Sequence, residues 1–362
     1  MERRSFLKKT ALGVTAGAVA APAIAQSNPT INWRMALSWP KSLDTIYGGG
    51  ELICKRVAEL TDGKFQIRPF AAGEIVPAPQ VLDAVQAGTV EIGHTSPTYY
   101  FGKDPAFAFG STIPFGMNAR QNYSWWHFGG GSQLMEPLFK EYGVINMPGG
   151  NTGAQMGGWF RKEVKTMEDF KGLKFRIAGL AGLIIAKIGG VPQMIGAPDI
   201  YPALEKGTID GAEWVGPYDD EKLGFNKVAK YYYYPGWWEG GPMISTMVNL
   251  KKWAELPKHY QAAISTASSE AYIWMAAKYD FVNPPALRRL VGSGTKLTPF
   301  PKSVLEGCEK AAYEVYAEQN AKSAHWKRIY PEWKKFRDES FLWYRVADLA
   351  YDQYTFTSKV GR

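Results

Sequence analysis

The sequence predicts an α/β fold of two lobes with a ligand cleft between them and long helices toward the C-terminal end. Three observations carry this. Between Thr30 and His94 the chain runs in a strand-loop-helix-strand rhythm, the pattern of helices layered on a largely parallel sheet. A second stretch opening near Asn146 repeats that order, so each stretch is expected to build its own sheet, and a cleft between two such units is a usual place for a small ligand. From Lys251 onward the pattern turns helical with few breakers.

A different kind of segment precedes this rhythm. Met1, Glu2, Arg3, Arg4, Ser5, Phe6, Leu7 and Lys8 lead into a small-residue apolar stretch from Thr10 to Ala21, then Ala23, Ile24 and Ala25. Basic region, apolar region and A-x-A site in that order read as a cleavable export signal over residues 1–25, and the paired arginines indicate the twin-arginine route. The competing reading, a membrane anchor, fails on length, because a spanning helix needs ~20 apolar residues. Cleavage after Ala25 takes the formal charge from +8 to +5. An exported, mildly basic chain without a dense Lys/Arg block suits small anionic ligands and argues against nucleic acid and against a membrane-embedded protein. Its expected location is the periplasm. Cys54 and Cys308 read as small buried apolar residues, although spacing leaves their pairing open. His94, His127, His259 and His325 show no metal-binding spacing, which argues against zinc.

In order along the chain, Thr30 to Met35 is a strand, Leu37 to Asp44 a loop, and Ile46 to Leu60 an amphipathic helix closed by Thr61, Asp62 and Gly63. Lys64 to Phe70 is a strand, Val81 to Ala87 a helix capped by Gly88, and Val90 to His94 a strand. Thr95 to Tyr100 then falls at a strand's carboxyl end, where α/β proteins place ligands. The second cycle reads Met156 to Phe160 strand, Thr166 to Lys171 helix, Lys174 to Ile177 strand and Ala181 to Gly189 helix; Asp199 to Lys206 is a helix capped by Gly207, and Ile209 to Trp214 a strand. Tyr231 to Tyr234 reads as a strand with alternating burial. Lys251 to Tyr279 and Lys302 to Tyr330 read as helices, with Pro331 kinking the chain or starting another helix toward Tyr354. Trp326, Ile329, Tyr330, Trp333 and Phe336 form an apolar stripe at helical spacing, covered either by the chain's own lobes or by a second protomer.

Arg176 closes the run Phe170 to Arg176 at the end of a predicted strand, where a guanidinium grips a carboxylate through two parallel hydrogen bonds that a lysine cannot imitate. Glu213 and Trp214 follow another strand, and Trp238, Glu239 and Gly240 repeat the pairing of carboxylate, aromatic and glycine. If Glu213 and Glu239 converge, they repel a bound acid unless a cation intervenes. A hard cation takes carboxylate, amide and carbonyl oxygens, and Gln155 supplies an amide. Two alternatives stay open: Glu213 pairs with a lysine or arginine, or the carboxylates act as catalytic acid and base. Tyr99 and Tyr100, in the strand-end loop, are the candidates for a hydroxyl on the ligand.

These runs resemble the solute-binding proteins of tripartite ATP-independent periplasmic (TRAP) transporters over essentially the whole mature length. The matching features are the opening from Ile31, Phe170 to Arg176, Tyr201 to Gly207 with Thr208 to Glu213, and the long C-terminal helices. The runs Asn151 to Phe160, Glu213 to Asp220 and Tyr231 to Gly241 are similar to the branch that takes 2-oxoacids or 2-hydroxy acids with a cation. The resemblance implies a periplasmic-binding-protein-like fold and no enzyme. It implies a sodium or calcium ion held by Gln155, Glu213, the Trp214 carbonyl and Glu239, Arg176 on the substrate carboxylate, permease subunits as partners, and a homodimer through the C-terminal helices. The expected division is residues 26–153 plus about 242–281 for one lobe, about 154–241 plus 282–325 for the other, and about 326–362 as a C-terminal extension. The expected cargo is a small 2-oxo monocarboxylate such as pyruvate. Lactate, a C4-dicarboxylate, or the substrate of a periplasmic metal-dependent hydrolase are the alternatives.

Overall fold

The structure, a computed structural model, describes residues 28–360. The export signal read in residues 1–25 lies outside the described residues. Two sheets form the frame. The first contains β1 (Ile31–Leu37), β2 (Phe65–Phe70), β3 (Ile92–Thr95), β4 (Val144–Asn151) and, from far along the chain, β10 (Met243–Asn249), in the order β2-β1-β3-β10-β4. The second contains β5 (Trp159–Phe160), β6 (Lys174–Arg176), β7 (Val191–Gln193), β8 (Gly211–Ala212), β9 (Tyr231–Tyr234) and β11 (Lys296–Pro299), in the order β11-β9-β5-β8-β6-β7. Each sheet has three neighbouring parallel strands and one antiparallel strand, β10 or β5, that enters as the chain crosses between lobes. The sheets are therefore mixed, where the rhythm predicted largely parallel ones. Met243–Asn249 is buried at every residue, so no alternation marked it as a strand.

Helices α1 (Ile46–Leu60), α2 (Val81–Gln86), α3 (Ala119–Phe128) and α4 (Gly131–Glu141) accompany the first sheet, and α5 (Gly179–Lys187), α6 (Ala197–Lys206) and α7 (Pro217–Lys222) the second. After α8 (Leu250–Glu255), α9 (Lys258–Gly292) touches both lobes: Tyr272 Oη donates to the Ala119 carbonyl at 2.7 Å, and Tyr279 Oη donates to Asp219 at 2.7 Å. The predicted helix Lys251 to Tyr279 is thus broken at Pro257, because Leu256 before the proline is extended. Its second part runs on through Pro284 and Pro285. The predicted strands Met156 to Phe160 and Ile209 to Trp214 shrink to two residues each, and Gln155 and Glu213 to Val215, outside the sheet, wall a cavity. Tyr232 and Tyr233 are both fully buried, which corrects the expected alternation in β9: this strand lies inside its sheet with both faces covered.

The C-terminal helices are α10 (Lys302–Lys322), α11 (Ala324–Tyr344) and α12 (Ala350–Thr357). The break falls at Ser323, whose hydroxyl caps α11 by accepting from the Trp326 N–H at 3.1 Å, and Pro331 sits inside that helix. A proline there costs ~3 kcal/mol, and burying Trp326, Ile329 and Trp333 offsets it. The two indoles pack on the chain's own Phe109, with ring centroids 4.5 Å (Trp326) and 5.7 Å (Trp333) away. The stripe is internal packing. Cys54 and Cys308 are buried and free.

Two contacts join the lobes at the rim of the cleft. Thr98, after β3, lies against Gly179, whose φ is +64°, and a Cβ there would come within 2.2 Å of the Thr98 methyl. Asp44, at the head of α1, bonds Lys222 and Tyr218 of α7 and Lys278 of α9. Partial burial opposes ionisation of Asp44, but the hydrogen bonds from Lys222 and Lys278 outweigh it and hold its carboxyl down to about 2 from 3.8. The folded value lies below the unfolded one, so this contribution is present above about pH 4 and is lost as pH falls toward 2. The pair is partly exposed to solvent, so Asp44→Asn is expected to cost under ~1 kcal/mol in urea unfolding near pH 6. That difference should shrink on acidification and at high salt; a constant difference would show that the contact does not act as an ion pair.

Candidate functional site

The carboxyl ends of the parallel strands meet across the cleft. Trp39 follows β1, Ser96, Thr98 and Tyr99 follow β3, Arg176 ends β6, and Glu213, Trp214 and Val215 follow β8. Thr152 and Gln155, between β4 and β5, and Glu239, Pro242 and Ile244, around the return crossing, complete the wall. They enclose a cavity with about 40 Å³ for the centres of water-sized molecules, room for a few such groups.

Main-chain hydrogen bonds lock these segments together. The Gln155 N–H donates to the Glu239 carbonyl at 3.1 Å, the Met156 N–H to the Val215 carbonyl at 3.0 Å, and the Glu213 N–H to the Arg176 carbonyl at 3.2 Å. Arg176 is 2 % exposed. Its Nε donates to the Ile195 carbonyl at 3.1 Å, and Nη1 donates both to the Glu213 carbonyl at 2.7 Å and to the Glu213 carboxylate. Nη2 takes part in none of these bonds. The guanidinium carbon lies 5.0 Å from the Trp214 ring centroid, and that indole meets Trp39 edge-on at 6.3 Å. Of the readings open for Glu213, pairing with an arginine is realised, and the arginine is Arg176 itself.

The charges are strongly coupled. Burial raises the Glu213 carboxyl above its usual range against the pull of Arg176. Burial and the nearby Glu213 push Glu239 well above its own, again against Arg176. Burial lifts the Tyr99 hydroxyl to about 12, with Arg176 drawing it the other way from hydrogen-bonding distance. Behind Trp214, burial pushes Asp219 and Asp220 each up to about 7, opposed by hydrogen bonds from Tyr279 to Asp219 and from Tyr232 and Trp159 to Asp220. Gln155 Nε2 donates to Thr152 Oγ1 at 3.1 Å, while its buried Oε1 has no hydrogen-bond partner among the described residues. Among the described residues no backbone N–H donates to the Trp214 carbonyl, although the Glu213 and Val215 carbonyls on either side are both taken. Two carboxylates, an orphaned amide oxygen and an unpaired carbonyl are the donor set of a hard cation, so these residues fit sodium or calcium.

Of the expected residues, Tyr99, Gln155, Arg176, Glu213, Trp214 and Glu239 therefore converge. Tyr100 does not: its hydroxyl sits against Thr95 Oγ1 at 2.7 Å and accepts the Leu82 N–H at 3.1 Å, so it braces the loop from behind. Sequence reasoning missed Ile46, Thr152, Pro242 and Ile244. Proline 242 and Ile244 escaped with the unmarked strand β10; Thr152 lay in a run singled out by resemblance alone.

Two α/β lobes whose strand ends wall one small polar cavity define a solute-binding receptor. The chain belongs to bacterial extracellular solute-binding protein family 7, the DctP family, whose sequence profile matches residues 35–323. It is 48% identical over 99% of its length to the whole of a monocarboxylate 2-oxoacid-binding periplasmic protein of Nostoc sp.. A TRAP transporter solute-binding protein of Bordetella bronchiseptica, a mixed-occupancy dimer with calcium and picolinate in one site, is 54% identical with a TM-score of 0.90, over 91% of this chain and 98% of that one. A TRAP periplasmic solute-binding protein of Pseudoalteromonas atlantica with bound sodium and pyruvate is 38% identical with a TM-score of 0.87, over 90% and 99%. Among the described residues no helix is long and apolar enough to cross a membrane.

Removing Arg176 leaves Glu213 buried without its countercharge, so Arg176→Leu is expected to destabilise the fold by roughly 3–5 kcal/mol in urea unfolding. Arg176→Leu with Glu213→Leu should recover part of that loss. Additive losses in the double-mutant cycle would show that the two groups do not interact.

Proposed function

We propose that this chain is a periplasmic receptor that captures a small 2-oxo monocarboxylate, pyruvate or a near analogue, together with a sodium or calcium ion, for uptake through the permease of a TRAP transporter. The observation that carries the reading is the buried Gln155 oxygen, without a hydrogen-bond partner, in the same cavity as two mutually repelling carboxylates. Gln155, Glu213, the Trp214 carbonyl and Glu239 hold the cation, and the relatives' cation and acid pairs support this. When bound, the cation neutralises the two carboxylates and offers positive charge to the acid's oxygens. Among the described residues Arg176 is the one cationic side chain lining the cavity; it takes the substrate carboxylate, with Tyr99 beside it. A single cationic clamp favours a monocarboxylate over a C4-dicarboxylate, and the apolar wall of Ile46, Pro242 and Ile244 favours a short aliphatic tail. Binding draws the lobes together, in proportion to the ligand's preference for the closed state.

Protein stripped of ligand by unfolding and refolding is expected to bind pyruvate saturably with calcium or sodium and poorly after chelation in sodium-free buffer, as followed by tryptophan fluorescence. Lactate and succinate are the comparison acids. Arg176→Ala should weaken pyruvate binding ~100-fold or more, about 3 kcal/mol. Metal-indifferent succinate binding would overturn the cation site. Conversion of the bound acid, detected by chromatography, would replace the receptor with a hydrolase.

The receptor is also inferred to be a homodimer. Leu342, Trp343, Val346, Leu349, Tyr351 and Tyr354, at the end of α11 and into α12, are each more than half exposed, a large apolar face for a protein in water. Trp343→Glu with Val346→Glu is expected to halve the mass seen by light scattering and leave pyruvate binding intact. An unchanged mass would place the contact elsewhere.

A further inference from the structure

Three of the proposed cation ligands are side chains that reach the site by their own rotamers. The fourth is a main-chain carbonyl, and its aim depends on how the Trp214–Val215 peptide is turned. That peptide is trans, so its C=O and its N–H lie in one plane and point in opposite directions. The Val215 N–H donates to Asp220 Oδ1 at 3.3 Å. The other carboxylate oxygen, Oδ2, accepts from Trp159 Nε1 at 2.9 Å and from Tyr232 Oη at 2.7 Å. Those two rings belong to β5 and β9 and stack with centroids 4.1 Å apart in the middle of the second sheet. Asp220, 1 % exposed, is thereby fixed to the sheet on one side and to the site's backbone on the other.

We propose that Asp220 is a positioning residue for the cation: by holding the Val215 N–H it turns the Trp214 carbonyl into the cavity and strengthens that oxygen as a ligand. The inference rests on the cation-binding reading above. The chemistry calls for a carboxylate here. An indole N–H and an amide N–H only donate, so the side chain facing them must only accept. Asparagine would turn an NH₂ toward one of these donors, and the peptide would lose its hold or the sheet its anchor. A negatively charged acceptor on the N–H also polarises the amide, placing more electron density on the carbonyl oxygen. Outer groups of this kind typically change metal affinity 10–100-fold when replaced.

The test uses the full exported chain at about pH 8.5, where the carboxyl is ionised, with terbium(III) as a luminescent stand-in for calcium and pyruvate as the acid. Asp220→Asn is expected to weaken terbium binding ~10–100-fold, and luminescence lifetimes in light and heavy water should report about one more bound water than wild type, replacing the lost carbonyl. Pyruvate affinity under chelation should stay at the wild-type value. Wild-type terbium affinity and hydration in a folded Asp220→Asn protein would overturn the proposal. So would a loss of pyruvate affinity equal with and without the cation, the mark of a merely structural role. If Asp220→Asn does not fold, Tyr232→Phe, which removes one Oδ2 anchor, must weaken terbium binding in the same direction, and an unchanged value overturns the proposal. Wild-type protein that binds pyruvate without any cation dependence rejects the cation site itself, a result distinct from both.

Discussion

The buried pair of Arg176 and Glu213, with Glu239 close by, is the constraint around which the rest of the cavity is arranged. Two carboxylates and one guanidinium leave a net negative charge in a space with little water to screen it. Such a group is stable only if every member is hydrogen-bonded and if charge balance comes from a ligand. Arg176 meets the first requirement through the Ile195 and Glu213 carbonyls and the Glu213 carboxylate, and main-chain bonds from Gln155, Met156 and Glu213 hold three separate segments in fixed register. Under the proposed function calcium with one monocarboxylate brings that count to zero, as sodium alone does, and the acid's carboxylate supplies Arg176 with an anionic partner.

Strand ends deliver these groups from both sides. In each sheet two parallel strands run toward the cleft, and residues at or shortly after their ends touch it: Trp39 and Tyr99 follow β1 and β3, Arg176 ends β6 and Glu213 follows β8. The two crossing segments bring Gln155 and Glu239. Short strands such as β5 and β8 are the consequence, because residues that would extend the sheet are diverted to the cavity wall.

Much of this was legible in the residues. Helix α1 could be read from its apolar spacing and the Thr61-Asp62-Gly63 stop, and Arg176, Glu213 and Glu239 from their place at strand ends among glycines and tryptophans. Tyr99 and Tyr100 could not be told apart, since in a 3₁₀ turn neighbouring side chains point about 120° away from one another and only the surrounding packing decides which faces the cleft. Strand β10 was illegible for another reason. Buried on both faces, it carries no alternation, and it pairs with β3 and β4, which lie far earlier in the chain. The alternation expected of β9 failed likewise, and the prolines inside α9 and α11 mislead any reading that treats proline as a stop when tertiary burial holds the helix together.

The late arrival of β10 also bears on how the protein is made. Ile244 on that strand is part of the cavity wall, β10 is inserted between β3 and β4, and β11 forms the far edge of the second sheet. Until the ribosome has released these segments the first sheet is split, the crossings are not pinned, and the carboxylates face water. The binding site is thus among the last features the chain acquires, and no shorter contiguous piece ending before β10 can hold it.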